Sequence, residues 1–460
     1  MADLMTLPTT DIRKKLRSGS VPVAIVGLGW MGLPTACLLA EAGVKVVGCD
    51  TNPRVVEGVS KGIPPLSEPG LPQMLKRFVR EGKLKATTST EEAVRESGVV
   101  FIIVPTLIDR DKKPEYTAVE NASREVGKSL QENSLIIFES TCGPGVTERL
   151  VKRVVEKHSG LKAGEKFGLA YCPIRAMSGT ALRDLSHYVR ILGAIDNKSL
   201  EASSEVLRTF VRGEIHKVRD IRTAEAAKLF ETIYRDTNIA LANEFAMFCE
   251  KIGIDYNEAM RAANTQPYSH LHSPGVGVGG HCLPVYPYLL EAEADEVEEN
   301  MRLIKMARQV NDGMPKHAVR LVASGLRAAG KPVARSRITV LGIAYRQNAK
   351  ETRFSPAVEL IQLLKRRGAR VTVFDPKYTS SELKQTGYDA KPTLKMSIEK
   401  ADCVVLTVAH DEFKQMKIHD LISAMSRQPV IVDGTHTFDP VAVEKTGAIY
   451  RGIGTGTWTK

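Results

Sequence analysis

Short unbroken apolar runs recur along the chain, each followed by a stretch whose apolar residues repeat every three to four positions. That alternation predicts buried parallel strands linked by crossover helices. Val23–Val26 is the first such run, and Gly27–Gly32 (GLGWMG) follows at once, leading into LPTACLLAEAG, a helix expected to end at Gly43. KVVGCD is a second strand, ending in Asp50. SGVVFIIVPT and SLIIFEST are two more, ending in Thr106 and Thr141, where a parallel sheet opens its ligand crevice. Hydroxyls there often only cap the next helix, but the repeated position favours contact with a bound ligand. GPGVTERLVKRVVEK reads as a helix with Pro144 near its first turn, and FGLAYCPIRAMSG as a strand entering a loop that carries Arg175. Spacing alone leaves Arg175 either a surface charge or an anion donor.

The middle of the chain changes character. Between Arg222 and Ile252 the residues Phe230, Ile233, Tyr234, Leu241, Phe245, Phe248 and Ile252 recur at helical spacing, which predicts one long helix with a buried stripe. Lys228, Thr232 and Arg235 share another face, open to two readings: a solvated surface or a buried site. So much apolar surface also suits a dimer or a join between domains. Ser273–Tyr288 (SPGVGVGGHCLPVYPY) follows, where glycines at 275, 277, 279 and 280 with Pro274 forbid an ordinary helix and let backbone approach a ligand closely. The loop delivers a thiol, Cys282, which as thiolate is a nucleophile able to carry an acyl group.

Glu291 to Ala329 reads as helical, and GKPVARS as a linker. Then the opening pattern returns in RITVLGIAYR, RVTVFDP ending in Asp375, ADCVVLTVAH and PVIVDG. This copy lacks GxGxxG: only Gly342 marks the turn, with Tyr345 and Arg346 at the phosphate end. It should therefore bind something other than a dinucleotide pyrophosphate, and Arg346 and Arg353 are natural phosphate donors.

Composition narrows the class. A chain of 460 residues, 43% hydrophobic and 25% charged, fits a globular protein of several domains. The longest apolar run falls far short of the about 18 residues of a membrane span, so no membrane partner is expected. Residues 1–20 lack the apolar core of a secretory signal and read as an N-terminal extension, in part a short helix. Seven scattered cysteines without a CxxC pair suggest neither disulfides nor a metal site and favour a cytoplasmic location. The net charge of +11 is spread among acids rather than gathered in a stripe, so acidic small molecules explain it better than nucleic acid.

The first motif is specific because its context is complete. Gly27 permits the tight turn, Gly29 the approach of a pyrophosphate and Gly32 close helix packing, while the helix N-terminus supplies partial positive charge. Asp50 lies 23 positions beyond Gly27, placed to take ribose hydroxyls. A carboxylate there repels a 2′-phosphate, so the expected cofactor is NAD rather than NADP.

GLGWMGLP, ESTCGPGVT, EAAKLFETIYRDTNIALANE, GVGVGGHCLP and GIAYRQNAKETRFSP together resemble the UDP-glucose/GDP-mannose dehydrogenase family, in its order and spacing, from about Val21 to the end. The resemblance implies an α/β protein: two Rossmann-like doubly wound parallel-sheet domains joined by a central helical domain with one long helix. The expected division is an extension (1–20), an NAD domain (21–215), a helical dimerisation domain with the cysteine loop (216–330) and a UDP-sugar domain (331–460). It implies a homodimer and a four-electron oxidation of a sugar C6 alcohol to a carboxylate with two NAD. The GHC form of the loop and YRDTNIALANE look most like the branch acting on UDP-N-acetylhexosamines, with UDP-N-acetyl-D-mannosamine the expected substrate. UDP-glucose, GDP-mannose and a non-catalytic nucleotide-sugar binder are the alternatives.

Position by position, the resemblance assigns Trp30, Met31, Asp50, Arg54, Thr106 and Thr141 to NAD, with Arg353 also reaching it. Arg175, Ala176, Lys228, Arg235 and Gly279 match substrate positions, and Thr232 stands at another where Asn is usual. Tyr345 and Arg346 match a pair gripping the UDP portion, and Cys282 and Lys228 match catalytic positions, Lys228 steadying the oxyanion and the thiolate. The chain departs from the pattern at Ile174, where a Glu is usual, and at Tyr286, where many members have Asp. His281 can either assist the thiol or point away from it.

Overall fold

The computed structural model describes residues 4–456, leaving the first residues of the extension and the last of the C-terminal domain outside the described part. The chain divides into two compact units. One holds the residues up to Glu231 with Tyr288–Asn300, and the other Thr232–Pro287 with the residues from Met301 onward.

In the first unit β1 (Val23–Val26), β2 (Val46–Cys49), β3 (Leu84–Thr87) and β4 (Val99–Ile102) precede a two-stranded hairpin, β5 (Leu107–Ile108) with β6 (Pro114–Glu115). Then come β7 (Leu135–Phe138), β8 (Gly168–Tyr171), β9 (Arg190–Ala194) and β10 (Ile215–Lys217). The eight-stranded sheet runs β10-β9-β8-β7-β4-β1-β2-β3, parallel throughout except between β8 and β9. VAIV, VVFI and LIIF are buried at every residue because helices cover both faces. The N-terminal segment is no free extension: the helix Thr9–Arg17 packs on the helix Asn197–Leu207, and Leu4, Ile12 and Leu16 join the core.

The second unit contains β11 (Arg337–Leu341), β12 (Arg370–Phe374), β13 (Asp389–Ala390), β14 (Cys403–Leu406), β15 (Val430–Asp433) and β16 (Ile449–Gly452). All are parallel, in the order β13-β12-β11-β14-β15-β16. Numbered from its own first strand this is 3-2-1-4-5-6, the doubly wound order, and β3-β2-β1-β4-β7-β8 repeats it in the first unit. Both sheets therefore switch winding direction beside their first strand, where such sheets bind ligands.

Three expectations are corrected. The segment after Pro144 starts its helix only at Thr147 and winds Thr147–Lys152 as π-helix before Arg153–Ser159. The helical stretch from Glu291 is two helices, Tyr286–Glu296 and Arg302–Ala328, interrupted where Glu298 takes a positive φ. The long helix does form, from Ile221 to Ile252, and the unit boundary falls within it, but its apolar stripe is not buried. Phe230 and Phe248 are 58% and 59% exposed, and Tyr234, Leu241, Phe245 and Ile252 are exposed too, leaving Ile233 as the buried member. Glu225, Lys228, Thr232, Asp236, Asn243 and Glu250 face inward instead. Periodicity finds a stripe but does not say which side of the helix meets the core.

Candidate active site

In the first unit the turn after β1 is built as a ligand cradle. Gly27 has φ +100°, and a Cβ on Gly32 would lie 1.8 Å from the Gly27 carbonyl, so both positions require glycine. A Cβ on Gly29 would meet nothing within 4 Å, which leaves that backbone open to an approaching phosphate. Asp50 closes the cradle: Oδ2 accepts the Leu28 N–H and Oδ1 the Asn52 N–H, each at 2.9 Å. These residues fit NAD, with open backbone at the helix N-terminus for the pyrophosphate and a half-buried carboxylate for the ribose.

Trp30 and Met31 are half-buried beside that turn, and Arg54 is exposed in the first turn of the helix Pro53–Ser60. Thr106 is half-buried and Thr141 buried, in the loops after β4 and β7. Ser140, which the sequence did not single out, ties those loops together by donating to the Val104 carbonyl at 2.7 Å and accepting the Val104 N–H at 3.0 Å.

Lys228 is 8% exposed, and its ammonium donates to Glu231 Oε1 at 3.2 Å. Arg175 reaches the other oxygen of Glu231 at 2.7 Å and donates to the Val189 carbonyl at 3.1 Å. Glu231 thus gathers two predicted substrate residues, although nothing but its i+3 spacing from Lys228 marks it in sequence. Ile174 and half-buried Ala176, on the Arg175 loop, pack against the apolar core. Buried carboxylates brace the neighbouring backbone: Glu68 accepts the N–H groups of Gly179 and Ala181, and Glu225 those of Gly145 and Thr147. Burial pushes Glu225 above the ordinary carboxyl range, and the bonds from Thr147 and Gly145 only partly offset this.

The second unit carries the thiol and a cleft. Thr232 is buried and Arg235 exposed on the long helix, so the face they were expected to share is split. The glycine loop is fixed by the Gly275 N–H on Asn243 Oδ1 and the Gly280 N–H on the Arg353 carbonyl, both 2.9 Å. Tyr345 lies against it, since a Cβ on Gly279 or Gly280 would meet that side chain at 2.8 or 2.7 Å. His281 pairs with Glu351. Cys282 is half-buried where the loop becomes helix, its carbonyl accepting the N–H groups of Val285 and Tyr286.

A cleft of about 380 Å³ opens at the end of the second sheet, lined by Pro274, Gly275, Tyr345, Arg346, Pro356 and Thr407 among others. It lies at the β11/β14 switch point and is bordered by the N-terminus of the helix Pro356–Arg366, a favourable setting for phosphate. Beneath it Asp375 Oδ2 accepts the N–H groups of Ile343 (2.8 Å) and Ala344 (3.2 Å) and contacts His410 Nε2 at 3.2 Å. Burial alone would raise this carboxyl, but His410 and the backbone donors outweigh it and hold Asp375 below its ordinary value. His410 Nδ1 in turn accepts the Asn348 N–H at 3.0 Å, which anchors the Tyr345–Asn348 turn. Arg353 is exposed and stacks on Phe354, 5.1 Å from the ring centre.

Comparison with known proteins covers almost the whole chain. Residues 21–211 match the NAD binding domain of the UDP-glucose/GDP-mannose dehydrogenase family, 222–313 its central domain and 339–440 its UDP binding domain. The UDP-N-acetyl-D-mannosamine dehydrogenase of Pyrococcus horikoshii is 36% identical over 94% of this chain and 99% of its own. The NDP-N-acetyl-D-galactosaminuronic acid dehydrogenase of Ralstonia solanacearum is 34% identical over 86% of this chain and 92% of its own. Among solved structures, the Pyrococcus horikoshii UDP-D-ManNAc dehydrogenase superposes with a TM-score of 0.87, covering 95% of this chain and all of that one.

Proposed function

The chain belongs to the UDP-glucose/GDP-mannose dehydrogenase family of NAD-dependent nucleotide-sugar dehydrogenases, and from that premise we propose that it oxidises the C6 hydroxyl of UDP-N-acetyl-D-mannosamine to the carboxylate. The observation that carries the choice of sugar is the 36% identity, nearly end to end, with a relative named for that substrate. The Gly27–Gly32 turn and Asp50 would hold NAD, and two NAD bound in turn would each accept one hydride. Cys282 adds to the C6 aldehyde as a thiohemiacetal; loss of a second hydride and a proton leaves a thioester. Water cleaves that thioester to release the uronate and the thiol. Lys228 steadies negative charge on the C6 oxygen.

Arg175, Ala176, Thr232, Arg235 and Gly279 are assigned to the sugar nucleotide, with Tyr345 and Arg346 on its UDP portion. Trp30, Met31, Asp50, Arg54, Thr106, Thr141 and Arg353 are assigned to NAD. We divide the chain as 21–215, 216–330 and 331–460 for the cofactor, helical and UDP-sugar domains, which the matched family segments support. We place the protein in the cytoplasm on its seven scattered cysteines without a CxxC pair. No helix among the described residues is long and apolar enough to cross a membrane.

A homodimer built on the long helix is part of the same reading, supported by the exposed Phe230, Tyr234, Phe245 and Phe248. Sedimentation should give a dimer that Phe245→Asp with Phe248→Asp converts to monomer; a monomeric wild type sinks the dimer. For the substrate, purified protein with NAD and a panel of UDP-sugars should form NADH fastest with UDP-N-acetyl-D-mannosamine. Preference for the N-acetylgalactosamine epimer would move the assignment toward the Ralstonia relative's chemistry, and silence with every sugar would leave a non-catalytic binder.

A further inference from the structure

A chain of buried polar side chains runs to the glycine loop of the second unit. It begins at Arg308, 3% exposed, which donates to Asp236 Oδ1 at 2.6 Å and also pairs with Asp312. Asp236 Oδ1 accepts from Asn311 Nδ2 at 2.9 Å, and the same amide reaches the Asp236 carbonyl at 3.0 Å. Asn311 Oδ1 accepts from Asn243 Nδ2 at 2.9 Å, and Asn243 Oδ1 accepts the Gly275 N–H at 2.9 Å. Both asparagines are buried.

The direction of these bonds is dictated from one end. A carboxylate that accepts forces the Asn311 NH₂ toward itself, so the Asn311 oxygen must face Asn243. That turns the Asn243 NH₂ toward Asn311 and its oxygen toward the loop. In a low-dielectric interior such a chain tolerates no reversed member, since a flipped amide would set acceptor against acceptor. Its far end meets a segment that glycine leaves with wide backbone freedom, and the Gly275 bond removes part of that freedom.

We propose that Asp236, Asn311 and Asn243 are positioning residues that set the conformation of the glycine loop, and through it the Gly275 wall of the cleft and the approach to Cys282. The consequence for ligand rests on the reading of that cleft as the UDP site. Neither asparagine lines the cleft; they act through the backbone of Gly275.

The test is hydrogen–deuterium exchange on the full-length protein without ligand, with UDP and NAD affinities measured by calorimetry. Asn243→Ala should speed exchange in the 273–282 segment by about tenfold or more and weaken UDP binding by a similar factor, as expected for one buried hydrogen bond. Peptides from β11–β16 should keep wild-type protection, and NAD affinity should be unchanged. Asn311→Ala, whose side chain bonds to Asn243 and Asp236 and not to the loop, should produce the same loop signature, and the double variant should be no worse than Asn243→Ala within about twofold. Asn243→Ser reads the same loop should the alanine variant not fold. An unchanged loop, effects that multiply in the double variant, or faster exchange spread evenly through the unit would overturn the proposal. A wild type that does not bind UDP would overturn the cleft assignment alone, because loop exchange still decides the relay.

Discussion

The two sheets solve the same problem with the same parts and reach different sites. Each ends its first strand in a turn held by an acid from the end of its second: Leu28 on Asp50, and Ile343 with Ala344 on Asp375. In the first unit the acid is half-buried and Gly29 leaves the backbone open, so carboxylate and amides can face a ligand directly. In the second the acid has no exposure, and His410 ties it to the Tyr345–Asn348 turn. On the proposed reading Asp50 faces the cofactor ribose in one copy, whereas Asp375 in the other is internal scaffolding for the turn that carries Tyr345 and Arg346. The second copy thus keeps the strand order and the acid at the end of its second strand, but lacks the glycine motif and buries the carboxylate.

Substitutions that act on one copy should leave the other copy's ligand alone. Gly32→Ala puts a methyl into the Gly27 carbonyl and should weaken NAD by roughly 100-fold, about 3 kcal/mol in the range for overpacking, with UDP affinity intact by calorimetry. Asp375→Asn breaks a buried pair, so the second unit should lose about 3 kcal/mol in a denaturant melt. UDP should weaken while NAD does not; equal losses of both ligands would erase the distinction. Asp50→Ala removes a charged acceptor for the ribose and should cost NAD about tenfold, near 1.5 kcal/mol, while narrowing the preference over NADP.

The smallest effect is in acid. The Asp375 carboxyl is held below its ordinary value, so its bonds contribute fully above the unfolded value of about 4 and are lost as pH falls through the lower native one. Thermal melts of wild type between pH 5 and 3 should therefore fall more steeply than those of Asp375→Asn. Parallel curves would show that the Asp375 carboxylate does not stabilise the fold in this range.

Strands, turns and the acids at their ends were legible because each is a local pattern of a few consecutive residues. VAIV followed by GLGWMG, and RVTVF followed by Asp375, each name an element and its end. Cys282 was legible for the same reason, as a thiol at the end of a glycine loop. The long helix shows the limit: its aromatic stripe was visible, but inward-facing Asp236 and Asn243 gain their place from partners far along the chain, Arg308 and Asn311. Glu351 on His281 and His410 on Asp375 are likewise pairings between distant segments, which no spacing rule reaches. Glu231 was the exception within reach, three positions from Lys228 and ordinary in every other respect.

A four-electron oxidation carried through Cys282 requires two NADH for each sugar, and counting NADH against sugar decides it. Purified wild type given limiting UDP-N-acetyl-D-mannosamine and excess NAD should form two NADH for each sugar consumed and yield the uronate, and Cys282→Ala should abolish uronate formation. One NADH per sugar with an aldehyde product, or undiminished uronate from Cys282→Ala, would contradict it.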